Sequence, residues 1–231
     1  MSDRPTHQEI AELLALMIHD LRNPAATVSA NLSFVRESVR EADVDALEAL
    51  EDVETAMGDL GRGLEQLSWI GRWLGGERAL EAWPGDARES VRAAVHRIGS
   101  AVAVTVPEEP VEVTAGGDAL SRLVELLVRN ALAFADARTV RVVLAQEGEH
   151  VVLEVRDGGR AFSEELSTQA FTLAGQSVLK GRADGRYSRA AGLLAARVLA
   201  DGLGAELDAG GADGAAFFRA RLLRAGSTSA G

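Results

Sequence analysis

The first 75 residues carry apolar side chains at alternating three- and four-residue steps, and this spacing constrains the fold more than any other feature of the chain. A first run contains Ile10, Leu14, Met17, Leu21, Val28, Val35 and Val39. A second runs through Leu47, Leu50, Val53 or Glu54, Met57, Leu60, Leu64, Leu67, Gly71 and Leu74. Such spacing marks one face of a helix, and its persistence over several turns is typical of a helical bundle. We therefore predict two long helices, the second over 44–74, with a chain reversal in the acidic segment 37–45.

Two helices alone bury only part of such an apolar stripe. The expected solution is a four-helix bundle built from two copies of the hairpin, so we predict a homodimer. The alternative is a hairpin within one chain that packs on the rest of that chain.

The segment His19-Asp20-Leu21-Arg22-Asn23-Pro24 lies inside the first predicted helix. His19 follows Met17 by two residues, which is about 200° around a helix, so it should face water. Asn23 lies one turn further along the same face. Pro24 removes a backbone donor at a cost of about 3 kcal/mol and should loosen the helix after His19. Each residue alone is compatible with an ordinary helix surface, but their combination favours a functional segment.

Composition excludes several functions. The net charge of −11 argues against a nucleic-acid partner, because that binding depends on Lys and Arg. The chain has no cysteine, which excludes disulfides and thiolate sites and fits a reducing compartment. No apolar run reaches 18 residues, and residues 1–9 lack the apolar core of a signal peptide. We therefore expect a cytoplasmic protein without a membrane segment.

The remainder of the chain alternates strand and helix patterns. Helices are predicted over 86–98, from Asp118 to about 135, and over 189–201, and strands over 102–106, 111–113, 139–145, 150–155 and 215–223. The fold class is therefore α+β, with an antiparallel or mixed sheet covered by helices on one face. The predicted domains are 1–78 and 79–225, followed by a disordered tail over 226–231.

Three short motifs in the second domain suggest binding chemistry. Asn130 is polar in an otherwise apolar helix, and its oxygen suits Mg²⁺, although such a residue often only bonds to the backbone. Asp157-Gly158-Gly159 follows a strand, where the carboxylate could accept a base amino group, or could simply form a turn. Gly192 opens a helix after a basic segment, which is either an anion site or a helix start without a ligand.

Taken in order, these residues resemble a known family over residues 8–223. The His19 segment resembles the phosphoacceptor box of two-component histidine kinases. Asn130, Asp157 and Gly192 resemble the N, G1 and G2 boxes of the ATP-binding domain shared by histidine kinases, gyrase, Hsp90 and MutL, and Phe171 resembles the F box. The resemblance implies a dimeric helical hairpin followed by an α/β sandwich of the Bergerat type.

The resemblance also implies a role for each matching residue. His19 would accept the γ-phosphoryl group of ATP, Asp20 would orient and deprotonate the imidazole, and Asn23 would position water for phosphoryl removal. Asn130 would bind Mg²⁺, Asp157 would bind the adenine amino group, and Gly159 and Gly192 would place backbone close to the nucleotide. The partner would be a response-regulator receiver domain. Because only 18 residues precede His19, the signal would come from a separate sensor protein or from dimer geometry.

Several positions depart from the family pattern, so three functions stay open. Leu126 and Ala133 replace an Asn and a Lys of the N box, and Ala161, Ser188 and Ala190 replace glycines of the G boxes. The first function is a histidine kinase that phosphorylates His19 from MgATP and transfers the group to a receiver aspartate. The second is an ATP-independent histidine phosphotransferase that relays phosphoryl groups between receiver domains. The third is a dimeric pseudokinase scaffold.

Overall fold

The chain folds into two compact units, Met1–Glu77 and Arg78–Gly231. The structure, a computed structural model, describes residues 7–39, 44–78, 80–99, 102–133, 135–160, 167, 170–172, 190–212 and 215–226. The predicted tail over 226–231 therefore lies almost entirely outside the described residues, as do Ala161 and Ser188.

The first unit is the predicted pair of long helices, α1 (His7–Ser38) and α2 (Val44–Leu74). They pack side by side in opposite directions, because the start of α1 contacts the end of α2 while Arg36 forms an ion pair with Glu54. Helix α1 continues without a break through Pro24, so the predicted loosening does not end the helix.

Only part of the predicted apolar stripe is buried within one copy of the chain. Leu50 and Leu64 of the predicted stripe are buried between the helices, and so is Ile18, which the predicted stripe did not include. A second set stays exposed, comprising Leu21 (46%), Val28 (42%), Val35 (43%), Val53 (42%) and Leu60 (44%). The isolated hairpin therefore buries only part of its apolar positions, as expected, because two helices cannot cover every apolar position of both.

The second unit is an α+β domain with a mixed sheet, as predicted. Its elements are β1 (Gly85–Asp86), α3 (Ala87–Ile98), β2 (Ala103–Thr105), β3 (Glu112–Val113), α4 (Gly117–Leu132), a 3₁₀ turn (Ala137–Thr139), β4 (Arg141–Glu147), β5 (His150–Arg160), α5 (Ala190–Leu203), β6 (Glu206–Ala212) and β7 (Ala215–Leu223). The main sheet has the order β2-β4-β5-β7-β6, and β1 pairs with β3 separately. Strand β2 runs parallel to β4, and the other neighbours in the main sheet are antiparallel.

The core lies between one face of this sheet and the helices. Alternation along β7 places Phe218, Ala220 and Leu222 on the buried face, where a helix can cover them. Helix α4 contacts β5 and packs between α3 and α5, and its side chains are buried along most of its length. The sheet and α4 together therefore position the ends of β5 and α5, where two of the predicted motifs occur.

Two local predictions differ from the structure. The sequence predicts Asp118 as the cap of α4, but the helix begins at Gly117 with Gly116 at the cap position, and Asp118 lies in the first turn. Strand β6 was not predicted, because its sequence ELDAGGA lacks the large β-branched or aromatic residues that indicate a strand.

Candidate functional site

His19 and Asn23 occupy the exposed surface of α1, one helical turn apart. The backbone carbonyl of Asn23 accepts a hydrogen bond from the Thr27 hydroxyl at 3.1 Å. Asp20 is helical, but its side chain lies outside the described part of the structure. The exposure of His19 agrees with its position away from the apolar stripe and leaves the imidazole accessible to a reaction partner.

Asn130 is buried in the last turn of α4, with only 5% of its surface exposed. Its Nδ2 donates a hydrogen bond to the backbone carbonyl of Leu126 at 2.8 Å. This bond fixes the orientation of the carboxamide and uses its donor side. Among the described residues no group donates to Oδ1, so this oxygen keeps its full capacity to accept a bond or bind a cation.

Gly192 lies directly against Asn130, although 62 residues separate them in sequence. A Cβ atom on Gly192 would be 3.1 Å from both Nδ2 and Oδ1 of Asn130, which is tighter than ordinary contact. The absence of a side chain at position 192 therefore lets the first turn of α5 approach the end of α4. The structure thus brings together two of the residues that the sequence analysis singled out.

Asp157 lies at a bulge near the end of β5. Arg156 pairs with Phe217 and Arg160 with Ala215, so four steps along β5 match two along β7. Asp157 follows Val151, Leu153 and Val155 in alternation on the helix-covered face and is 3% exposed. Gly158 and Gly159 belong to the same bulge. A buried carboxylate at the end of a central strand can accept hydrogen bonds from a ligand that enters beside the helices.

Thr139 contacts this bulge and was not singled out by the sequence analysis, which placed it at the start of a strand. The structure places it in the 3₁₀ turn before β4, with its hydroxyl 3.3 Å from the Gly158 amide nitrogen. A threonine before a strand has no sequence signature that predicts such a contact, because Gly158 is 19 residues away.

Phe171, which resembles an F-box residue, is buried against the sheet. Its ring meets that of Phe218 edge to face, with the ring centroids 6.1 Å apart and an interplanar angle of 64°. Phe218 belongs to β7, so Phe171 attaches its segment of chain to the core of the sheet.

The described residues offer Mg²⁺ a single protein ligand, Asn130. No group of three or more His, Cys, Asp or Glu side chains suited to a metal ion occurs in the part of the chain that the structure describes. Leu126 is apolar and buried, and Ala133 has no ligand atom. Asn130 fits as one neutral oxygen ligand, which is compatible with Mg²⁺ that takes its other ligands from phosphates and water.

Comparisons with known proteins agree with this architecture. Residues 115–225 match the family model of the histidine kinase-, DNA gyrase B- and HSP90-like ATPase. Full-length ShkA in complex with AMPPNP has a TM-score of 0.65 and 20% identity, over 94% of this chain and 47% of that chain, so this chain spans about half the length of ShkA. The Acinetobacter baumannii histidine kinase AdeS has a TM-score of 0.55 and 15% identity, over 90% of this chain and 98% of that chain. A search of curated proteins gave no match.

The helical hairpin followed by the mixed sheet and its helices is the fold of a histidine kinase transmitter. The match to the histidine kinase-, DNA gyrase B- and HSP90-like ATPase family covers the part of the chain that holds α4, β4, β5, α5, β6 and β7. None of the helices that the structure describes combines the length and the apolar character that are needed to span a bilayer.

Proposed function

We propose that this protein is a histidine kinase of a two-component phosphorelay. It phosphorylates His19 from MgATP and transfers the phosphoryl group to an aspartate of a response-regulator receiver domain. The observation that carries this proposal is the geometry at Asn130, whose donor atom is used by the helix and whose acceptor oxygen lies beside the start of α5. A hydrogen bond that served the helix alone would not require a glycine from α5 against the same carboxamide.

The nucleotide is held by residues of the second unit. Asp157 accepts a hydrogen bond from the amino group of adenine, and Gly159 leaves its backbone open to the ligand. Gly192 and the first amides of α5 lie close to the phosphates, which helix N-termini attract. Mg²⁺, when bound through Asn130, neutralises charge on the phosphate oxygens.

The phosphoryl transfer takes place at the exposed imidazole of His19. A ring nitrogen of His19 forms a bond to the γ-phosphorus while the bond from that phosphorus to the β–γ bridging oxygen breaks, and ADP leaves. Asp20 accepts the proton that the imidazole loses. When the phosphoryl group is later removed by hydrolysis, Asn23 orients the attacking water molecule.

The first unit acts as a homodimer. Leu21, Val28 and Val35 are exposed at seven-residue steps on α1, and Val53 and Leu60 at the same step on α2. A second hairpin would cover these residues and complete a four-helix bundle.

A second candidate function is an ATP-independent histidine phosphotransferase. The observation that favours it is the buried leucine at position 126 and the alanine at position 133, where the family has an Asn and a Lys. With these replacements Asn130 alone would have to hold the metal ion. In that case the second unit would serve as a docking surface, and His19 would receive its phosphoryl group from a phosphorylated receiver domain.

The test is to incubate the purified protein with MgATP labelled at the γ-phosphate and to measure acid-labile, base-stable label. We expect label on the wild type, none on His19→Ala, and full label on His96→Ala, which removes an exposed histidine from α3. Asn130→Ala should lose the label while still accepting phosphoryl groups from a phosphorylated receiver domain.

The outcomes separate the candidate functions. Label that survives in Asn130→Ala contradicts the role of this residue. If the wild type takes no label and binds no nucleotide, the kinase proposal is wrong. Labelling of His19 from a phosphorylated receiver domain would then establish the phosphotransferase function. If that labelling is also absent, the remaining candidate is the dimeric pseudokinase scaffold.

A further inference from the structure

Thr139 links two elements that carry candidate site residues. Its hydroxyl donates to the backbone carbonyl of Asp136 at 2.7 Å and can accept from the Gly158 amide at 3.3 Å. The first bond belongs to the turn between α4 and β4, and the second reaches the bulge of β5. One side chain therefore joins the segment after Asn130 to the segment that carries Asp157.

The position of Gly158 opposite the start of β4 explains this contact. The register of β4 and β5, continued beyond its last pair Arg141–Arg156, places Thr139 opposite Gly158, so the hydroxyl bonds to the Gly158 amide where β4 has not yet begun. Gly158 is exposed, so its amide could bond to water instead, and the Thr139 hydroxyl holds that amide in one direction. Without the hydroxyl, the bulge would lose the bond adjacent to Asp157.

The contact between the two residues is also close. A Cβ atom on Gly158 would lie 2.8 Å from both Cβ and Oγ1 of Thr139, so no side chain fits at position 158. The Thr139 side chain thus occupies the space above Gly158 and restricts the backbone there. Asp157, the neighbouring residue, is 3% exposed and has little freedom to change its direction.

We propose that Thr139 is a positioning residue for base recognition, which fixes the bulge at Gly158 so that the Asp157 carboxylate meets the amino group of adenine. This inference rests on the proposed nucleotide binding. It also makes Thr139 a determinant of selectivity, because guanine carries a carbonyl group at the corresponding ring position and a carboxylate cannot donate to it.

The test is calorimetric titration of the full chain with ADP and with GDP. Thr139→Val keeps the shape of the side chain and removes the hydroxyl, whereas Thr139→Ser keeps the hydroxyl. Thr114→Val is the matched control, since Thr114 is an exposed threonine of the same unit whose hydroxyl bonds to the Leu223 carbonyl at 3.4 Å. If Thr139→Val does not fold, Thr139→Ala also removes the hydroxyl and leads to the same expectation.

We expect Thr139→Val to weaken ADP binding about three- to tenfold, the range that one lost hydrogen bond gives. The preference for ADP over GDP should fall with it, while Thr139→Ser and Thr114→Val stay within about twofold of the wild type. In the ligand-free protein, the Gly158 amide should exchange with solvent faster in Thr139→Val alone. A loss of folding stability by itself would weaken the binding of both nucleotides equally and would leave the ratio of the ADP and GDP affinities unchanged.

Two results would overturn the proposal separately from the proposed function. If the wild type prefers ADP and Thr139→Val has the same ADP affinity and the same preference, the Thr139 hydroxyl does not position Asp157. Equal losses in Thr139→Val and Thr139→Ser assign the effect to packing. If the wild type binds neither nucleotide, nucleotide binding and the positioning role are both wrong.

Discussion

At the scale of single residues, Glu125 of α4 forms ion pairs with three arginines. Its carboxylate is 11% exposed and meets Arg97 Nε at 2.9 Å, Arg129 Nε at 3.0 Å and Arg122 Nη1 at 3.4 Å. Burial raises the pKa of the Glu125 carboxyl group, but the hydrogen bonds and charges of the arginines outweigh it and hold this pKa below its ordinary value. Glu125 therefore stabilises the fold in its ionised form.

We expect Glu125→Gln to lower the free energy of unfolding at pH 7 by about 1–3 kcal/mol, because the arginines lose a charged partner. A lowered pKa in the folded state contributes stability that is complete above the pKa of the unfolded chain and disappears as the pH falls through the folded pKa. The difference between wild type and variant should therefore shrink in acid. Urea denaturation at pH 7 and near pH 3 measures it, with exposed Glu147→Gln as the control. A difference that is constant with pH contradicts this account.

At the scale of elements, the start of α4 depends on glycine and tryptophan. Gly117 has a φ of 68°, and a Cβ atom there would lie 2.7 Å from Cε2 of the Trp83 indole. The amide of Gly116 donates to the Trp83 carbonyl at 2.7 Å. Both the conformation and the space at position 117 thus require glycine, and the indole ring takes part in starting the helix.

Gly117→Ala should destabilise the protein by about 1–3 kcal/mol because it adds strain and a collision with the indole ring. Thermal unfolding should show a lower midpoint, by about 2–4 °C for each kcal/mol in a chain of this size. Gly202→Ala, in a helical position with open space, is the control and should leave the midpoint unchanged or raise it. In a Trp83→Ala background the penalty of Gly117→Ala should shrink, and an undiminished penalty would exclude the collision as its cause.

Apolar periodicity predicted the long, regularly patterned elements. The elements without such a pattern form because of their contacts with distant parts of the chain. Both long helices and strand β7 matched their patterns, because their apolar positions repeat over many residues. Strand β6 has no such signal and exists because it pairs with β7 along its whole length. For the site, the sequence predicted Asn130 and Gly192 as separate site residues but not the contact between them. Their contact depends on how α5 packs against α4, which no local pattern encodes.

At the scale of the whole molecule, the hairpin of the first unit leaves its exposed leucines and valines at seven-residue steps. Monomeric proteins rarely expose aligned apolar residues along two long helices. A second copy supplies the same stripe in return, because a two-fold interface is self-complementary. The proposed homodimer therefore follows from the amount of apolar surface that one copy leaves uncovered.

Leu60→Asp should shift the protein from dimer to monomer, because the interface would have to bury a charge. Light scattering after size-exclusion chromatography measures the mass at each concentration. Thr55→Asp introduces the same charge on the exposed side of α2, about 140° around the helix, and should keep the wild-type mass. A wild-type chain that is monomeric at every concentration would be evidence against the bundle.

The order of strands in the main sheet also has a consequence for how the chain folds. β4 with β5 and β6 with β7 form two hairpins whose residues are close in sequence, and such hairpins form within microseconds. The pairing of β5 with β7 joins residues about sixty positions apart, such as Val155 and Phe218, and must close a much longer loop. During synthesis on the ribosome, the central strand therefore stays unpaired on one edge until the last strand has emerged.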